Sequence, residues 1–175
     1  MLIDLNKASL RQFHIKYDVV PLFIIKNDSE SSQELKGSIP KDGFSFEYIH
    51  NWIKIKNKSK TDYLRAITYE DNLIGHIGLY SIDKEIPEFG IYLGFKLFWG
   101  KGIASYVIPI FFKNFLKNNK SCSYISLFVN KNHFSAIKLY QKIGFEFDLS
   151  KEILVNKKNE KKLYRKMLLS TDLYK

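Results

Sequence analysis

A single cysteine, Cys122, stands in the whole chain of 175 residues. One thiol closes no internal disulfide and supplies no thiolate metal site, and its setting in "SCSYISLFV" reads as the approach to a strand, so a half-buried structural thiol is expected. Long apolar runs are missing too. None approaches the roughly 18 residues of a membrane span, and the start "MLIDLNKASLRQF" lacks the basic-then-apolar order of a signal peptide. Both absences point to a cytoplasmic protein with no membrane partner. Of the four histidines, His14 and His50 sit in no motif, which leaves metal ligation without support. No internal repeat and no linker-like stretch divides the sequence. With 45% hydrophobic residues, the length suits one domain with a substantial core.

Acidic residues are in the minority, 18 Asp+Glu against 28 Lys+Arg, giving a formal charge of +10. Such a surface field favours anionic partners. The clusters "KIKNKSK" (Lys54 to Lys60) and "NKKNEKK" (Asn156 to Lys162) interleave no aromatics with their basic residues, as a base-stacking surface would. They read as solvated turns, which speaks against nucleic acid.

Hydrophobic periodicity organises the rest. "PLFIIKNDSESSQEL" predicts short helical pieces separated by a polar break at Asn27 to Ser32, and "GFSFEYIHNWIKI" predicts a helix with Phe46, Ile49, Trp52 and Ile53 at i, i+3, i+4 spacing. The period then changes. "YLRAITY" (Tyr63 to Tyr69), a turn at Glu70, Asp71 and Asn72, and "LIGHIGLYSI" (Leu73 to Ile82) predict a β-hairpin. After Pro87, "EFGIYLGF" predicts a strand that leads through glycines into a helix starting near Gly102. Pro109 is expected to kink that helix beyond its first turn. "YISLFVN" (Tyr124 to Asn130) is the next strand, and "HFSAIKLYQKIGFEF" places Ala136, Leu139, Tyr140 and Ile143 on one helical face before Gly144 ends it. A second β-α-β unit follows from this order, and "KLYRKMLLS" supplies one last strand. The sum is a single-domain α/β protein whose mixed sheet has a central parallel pair beside antiparallel hairpins.

"GFKLFWGKGIAS" carries the chemistry. Five residues separate Gly94 from Gly100, and Gly102 follows Lys101 where a P-loop needs a Mg²⁺-binding hydroxyl. A dinucleotide fingerprint is lacking as well, since Gly100-Lys101-Gly102 runs on as Ile103-Ala104-Ser105 with no third glycine, and a hairpin precedes it. What remains is a helix N-terminus with backbone bared at Gly102 and Ala104, a seat for a pyrophosphate.

That loop resembles the acyl-CoA loop of the GNAT N-acetyltransferase superfamily, whose pattern is Gln or Arg, two residues, Gly, one residue, then Gly or Ala; Trp99 stands at the Gln/Arg position. "WGKG" is similar to the branch that acetylates protein N-termini, polyamines and nucleotide-sugar amines. The likeness covers about Tyr63 to Phe147 and includes "LIGHIGLYSID" and "NKNHFSAIKLYQKIGFE", which resembles the family ending Asn-x-x-Ala-Ile-x-Leu-Tyr-x-x-x-Gly-Phe. It implies a GNAT-like fold with splayed central parallel strands and flanking helices, divided into an acceptor-side segment (1–60), an acetyl-CoA-binding core (63–147) and a C-terminal strand region (148–175).

The resemblance also implies roles. Trp99, Gly100, Lys101, Gly102, Ile103, Ala104 and Ser105 would form the pyrophosphate loop. Asn132 or His133 would hold the pantetheine arm, and a backbone N–H near Leu93, Gly94 or Phe95 would hold the thioester carbonyl. Tyr140, at the family tyrosine, would protonate the departing thiolate. Glu88, on the cofactor strand, would deprotonate the amine, with His76 or a water chain as the alternative base. The implied function is acetyl transfer from acetyl-CoA to a primary amine of a small molecule. The acceptor is expected to be anionic or nucleotide-linked, such as an amino sugar on a nucleotide, with a protein N-terminus as the alternative and a homodimer left open. A non-catalytic acyl-CoA or nucleic-acid binding module is the competing class; the intact loop together with Tyr140 favours the enzyme.

Overall fold

The computed structural model describes residues 3–28, 43–157 and 160–175. Among these residues seven strands form one sheet in the order β1-β2-β3-β4-β5-β7-β6, with β1 Ala8–Arg11, β2 Asp62–Tyr69, β3 Asn72–Tyr80, β4 Glu88–Leu93, β5 Tyr124–Asn130, β6 Glu146–Lys157 and β7 Glu160–Ser170. Two of them escaped the sequence reading. β1 is short and polar at alternate positions, and β6 lies in the stretch read as tail. The first hairpin closes as expected, with Glu70 (φ 48°) and Asp71 (φ 64°) both left-handed, the backbone that a two-residue β-turn needs. All neighbouring pairs are antiparallel except β4 and β5. The expected second β-α-β unit takes a different form, because β7 inserts between β5 and β6 and pairs with both.

Helices cover both faces. On one side lie α1 (Ile15–Asn27) and α2 (Phe46–Asn57). Leu22 and Ile25 of α1 meet Ile49 and Ile53 of α2 over Leu64, Ala66, Leu73 and Tyr92 of the sheet. Phe46, expected on this buried face, is half exposed, its ring stacked on Phe23 at 3.9 Å. Ser45 caps α2, its side chain accepting from the Tyr48 N–H. The polar break after Asn27 falls largely outside the described residues. On the other side α3 (Ile103–Leu116) buries Ile103, Val107, Ile108, Phe111, Phe112 and Phe115, and α4 (Phe134–Ile143) adds Ala136, Leu139, Tyr140 and Ile143 to the same core. The helix α3 runs unbroken across Pro109, as α1 does across Pro21.

The buried stripe of α1 carries two charges, Asp18 and Lys26. Asp18 is fully answered. It accepts both guanidinium nitrogens of Arg11 at 2.6 and 2.7 Å and the His14 N–H at 2.7 Å. Cys122 is half-buried, its thiol pushed up by burial, as expected for an inert structural cysteine.

Candidate active site

The parallel pair at the centre barely pairs. Glu88 and Ser126 are its one registered rung, where the Ser126 N–H reaches the Pro87 carbonyl at 2.9 Å. Beyond that rung β4 and β5 splay, and a cavity of about 300 Å³ opens between Gly90–Tyr92 on one wall and Leu127–Asn130 on the other. A wedge of this kind presents strand-edge backbone groups to a ligand instead of to a neighbouring strand. At the far end of β4 the Gly94 N–H donates to the Ile74 carbonyl of β3 at 2.9 Å. Alternation along an antiparallel ladder therefore turns the backbone groups of Leu93 the other way, toward the wedge. There the Leu93 carbonyl accepts the Trp99 indole N–H at 2.9 Å. Trp99, standing where the family pattern has Gln or Arg, thus braces the end of β4. Of the carbonyl donors expected at Leu93, Gly94 and Phe95, that of Gly94 is committed to the sheet and that of Leu93 faces the wedge.

The glycine loop ends this strand's connection to α3. Gly100 (φ 67°) and Gly102 (φ 84°) both take left-handed backbone, which a β-branched residue resists, and a Cβ on Gly100 would meet nothing within 4 Å. Gly102 is the N-cap and has no side-chain capping bond; the first helical bond runs from the Tyr106 N–H to the Gly102 carbonyl. The N–H groups of Ile103, Ala104 and Ser105 precede it and have no acceptor within the helix. Ile103 itself is buried in the core, so only its backbone faces outward. Open donors at the positive end of a 14-residue helix suit a pyrophosphate, and Lys101 sits exposed beside them.

α4 flanks the wedge. His133, the position reached by counting back from Tyr140, is its N-cap, with Nδ1 accepting from the Ala136 N–H at 3.3 Å. His133 also lines the cavity, whereas Asn132 lies on an adjoining surface hollow, its N–H donating to the Asn130 side chain. Seven residues along, Tyr140 faces the cavity while its ring edge packs on Phe145 and Phe89 at 5.8 and 6.3 Å. Burial pushes its phenol up to about 12, so it is protonated at neutral pH. Among the described residues no group hydrogen-bonds to its hydroxyl.

The opposite face of β3 and β4 presents Tyr80 and His76 beside Glu88, the one carboxylate on the cavity wall among the described residues. Burial, then Asp62 and Glu88, push the Tyr80 phenol up to about 12. His76 is buried with no partner for Nδ1, and burial, then Lys26, hold it well below its usual range, so it is neutral. Tyr80, Asn130 and Tyr164 of the cavity wall went unread in the sequence, because strand aromatics carry no signal that separates site from core. Lys26 did leave a signal. It lies on the apolar stripe that Leu22 and Ile25 define, where a charge is out of place.

No curated protein matches the chain significantly in sequence. The model of the acetyltransferase (GNAT) domain matches residues 8–146. Among solved structures, a spermidine N-acetyltransferase from Vibrio cholerae in complex with CoA and spermine superposes with a TM-score of 0.80 at 16% identity, over 97% of this chain and 98% of that one. A GNAT-family acetyltransferase from Bacillus anthracis gives 0.76 at 19% identity, over 98% and 99%. At such identities the likeness shows the fold, and the family model covers most of the chain, the splayed strands and the glycine loop included. The chain therefore belongs to the GNAT family, as an N-acetyltransferase whose donor is acetyl-CoA.

Proposed function

We propose that this enzyme acetylates a primary amine on a small acceptor that also carries negative charge, an amino sugar linked to a nucleotide being one such molecule. The observation that supports this is the wedge wall itself, where Glu88 is the one carboxylate among the described residues, in a chain of net charge +10. A polycation such as the spermine bound to the Vibrio cholerae enzyme calls for several carboxylates along its length.

The donor supplies an acetyl group as a thioester. The backbone N–H groups of Ile103, Ala104 and Ser105 would hold its pyrophosphate, with Lys101 adding charge, and His133 would flank its pantetheine arm at the wedge, with Asn132 at the outer margin. The Leu93 N–H donates to the carbonyl oxygen, where negative charge develops. Glu88 takes a proton from the ammonium, so that the lone pair is free to attack; the C–N bond forms as the C–S bond breaks, and the second proton that the nitrogen sheds makes good the one that Tyr140 gives to sulfur. Tyr140 donates to the departing sulfur. A phenol near 12 gives up its proton reluctantly to a thiolate of ordinary basicity near 8.5, but the same burial raises the thiolate, so a strong hydrogen bond with late proton transfer fits both groups.

Purified enzyme with acetyl-CoA, scored by thiol release against a nucleotide-linked amino sugar, simple amino acids, spermidine and a peptide N-terminus, tests the reading. Turnover highest on the anionic small amines is expected. A preference for spermidine or the peptide overturns it.

A further inference from the structure

Two nitrogen groups on the α1 and α2 side of the sheet are buried with no hydrogen-bond or ion-pair partner among the described residues. Lys26 is 8% exposed and His76 6%; among the described residues His76 Nδ1 has no hydrogen-bond partner, and Lys26 meets aromatic rings and no carboxylate. The contrast lies on the same helix, where Asp18, just as buried, is held by a bidentate Arg11 and a backbone N–H. Lys26 is boxed by aromatics, its Nζ 5.3 Å from the Phe44 centroid and 5.0 Å from that of Trp52. Trp52 in turn meets His76 edge-on at 5.5 Å; His76 lines the wedge, and Lys26 stands behind it, off the cavity wall. The rings steady an ammonium from the side, yet none supplies the opposite charge that a buried cation otherwise finds. Burial accordingly pushes Lys26 down to about 8.

We infer that Lys26 and His76 form the anion-receiving corner of the acceptor subsite, which holds a carboxylate or phosphate group of the substrate while its amine points to Glu88. His76, at the cavity wall, provides an N–H from one ring nitrogen, and Lys26 provides positive charge from behind that wall. Their position on the α1 and α2 side of β3 keeps this corner apart from the glycine loop, which lies beyond the end of β4. The inference rests on the anionic acceptor proposed above and adds where its charge docks. It makes Lys26 a specificity determinant with no part in donor binding.

The test uses matched amines that differ only in the acidic group: β-alanine, γ-aminobutyrate and 6-aminohexanoate against propylamine, butylamine and hexylamine for the carboxylate, and phosphoethanolamine against ethanolamine for the phosphate. In wild type the acidic member of at least one pair should have the higher kcat/KM. Lys26→Met should lower that value roughly 10-fold or more through KM, and should change the uncharged partner and the KM for acetyl-CoA less than about 3-fold. Which pair responds distinguishes carboxylate from phosphate. Equal losses on charged and uncharged partners, with wild type preferring the acidic ones, sink the anchor and leave the anionic acceptor standing. Wild-type preference for the uncharged partners sinks both.

Discussion

Replacing Lys26 by methionine should make the folded protein more stable, because the change removes a buried charge that has no ion-pair partner among the described residues. The lysine falls from 10.5 to about 8 on burial, which corresponds to roughly 3 kcal/mol held against folding at pH 7, at about 1.4 kcal/mol per pH unit. The sign follows from proton binding. The unfolded chain keeps its proton up to about 10.4, whereas the folded chain gives it up near 8, so between those values the unfolded state holds more protons and stability rises with pH. Below about 8 the full cost is present; above about 10.4 it has gone. His76 is neutral throughout this window, and the opposing step from Tyr80, whose phenol ionises near 10 unfolded and about 12 folded, is common to both proteins and cancels in their difference. Methionine fits the same stem among Phe44 and Trp52, with no ammonium to desolvate. Urea unfolding at pH 7 should therefore show the variant more stable by up to about 3 kcal/mol, and at pH 10 the two proteins should differ by much less. A variant no more stable than wild type at pH 7, or a gap that stays constant to pH 10, would refute the claim that Lys26 is an unanswered buried charge.

Gly102→Val should abolish measurable acetyl-CoA binding by calorimetry in a folded protein, since valine resists the φ of 84° that sets the helix start; undiminished affinity would remove the loop from the donor site. Tyr140→Phe should lower single-turnover rates by roughly 10²-fold with donor affinity little changed, and wild-type rates would return Tyr140 to the core it packs against. Glu88→Gln should slow turnover at neutral pH while acetyl-CoA still binds; an unaltered pH-rate profile would pass the base role to His76 or a water chain. Trp99→Phe keeps the ring but drops the bond to Leu93, and a several-fold rise in the KM for acetyl-CoA is expected, whereas an unchanged KM would make that brace incidental.

The parts of the fold that sequence made legible are those where local chemistry decides the structure. Glu70 and Asp71 between two alternating runs announce a turn, and the spacing of Ala136, Leu139, Tyr140 and Ile143 announces a helix with one buried face. The glycine loop was readable because left-handed backbone and an uncapped helix start leave glycine where a side chain would ordinarily sit. β1 and β6 were not, since each draws its stability from a neighbour far away in sequence: Leu10 pairs with Ile67, and Phe147 with Met167. The insertion of β7 between β5 and β6 has no local signature either. In the site, Tyr140 and Glu88 came from the family likeness, and the cavity brings both to its wall. Trp99 was assigned to the loop, but its indole bond to Leu93 depends on how the chain doubles back. Lys26 needed the structure to show that no described residue answers its charge, although its place on an apolar stripe had already marked it.

The single rung between β4 and β5 has a mechanical meaning. β1 to β4 are laced into one leaf by antiparallel ladders, and β5, β7 and β6 into another, each leaf with one register shift, at Ile67/Thr68 and between Phe147 and Glu152. The Ser126 N–H on the Pro87 carbonyl, with the Ser126 hydroxyl donating to the same oxygen at 3.3 Å, acts as the pin between the leaves. Neither ladder crosses the seam. There Phe89 of β4, Phe112 of α3 and Phe145 ahead of β6 meet as a cluster of rings. The two leaves are therefore joined by a single backbone pin and by side-chain packing, and the gap between them is the place in the sheet where the backbone ladder stops short.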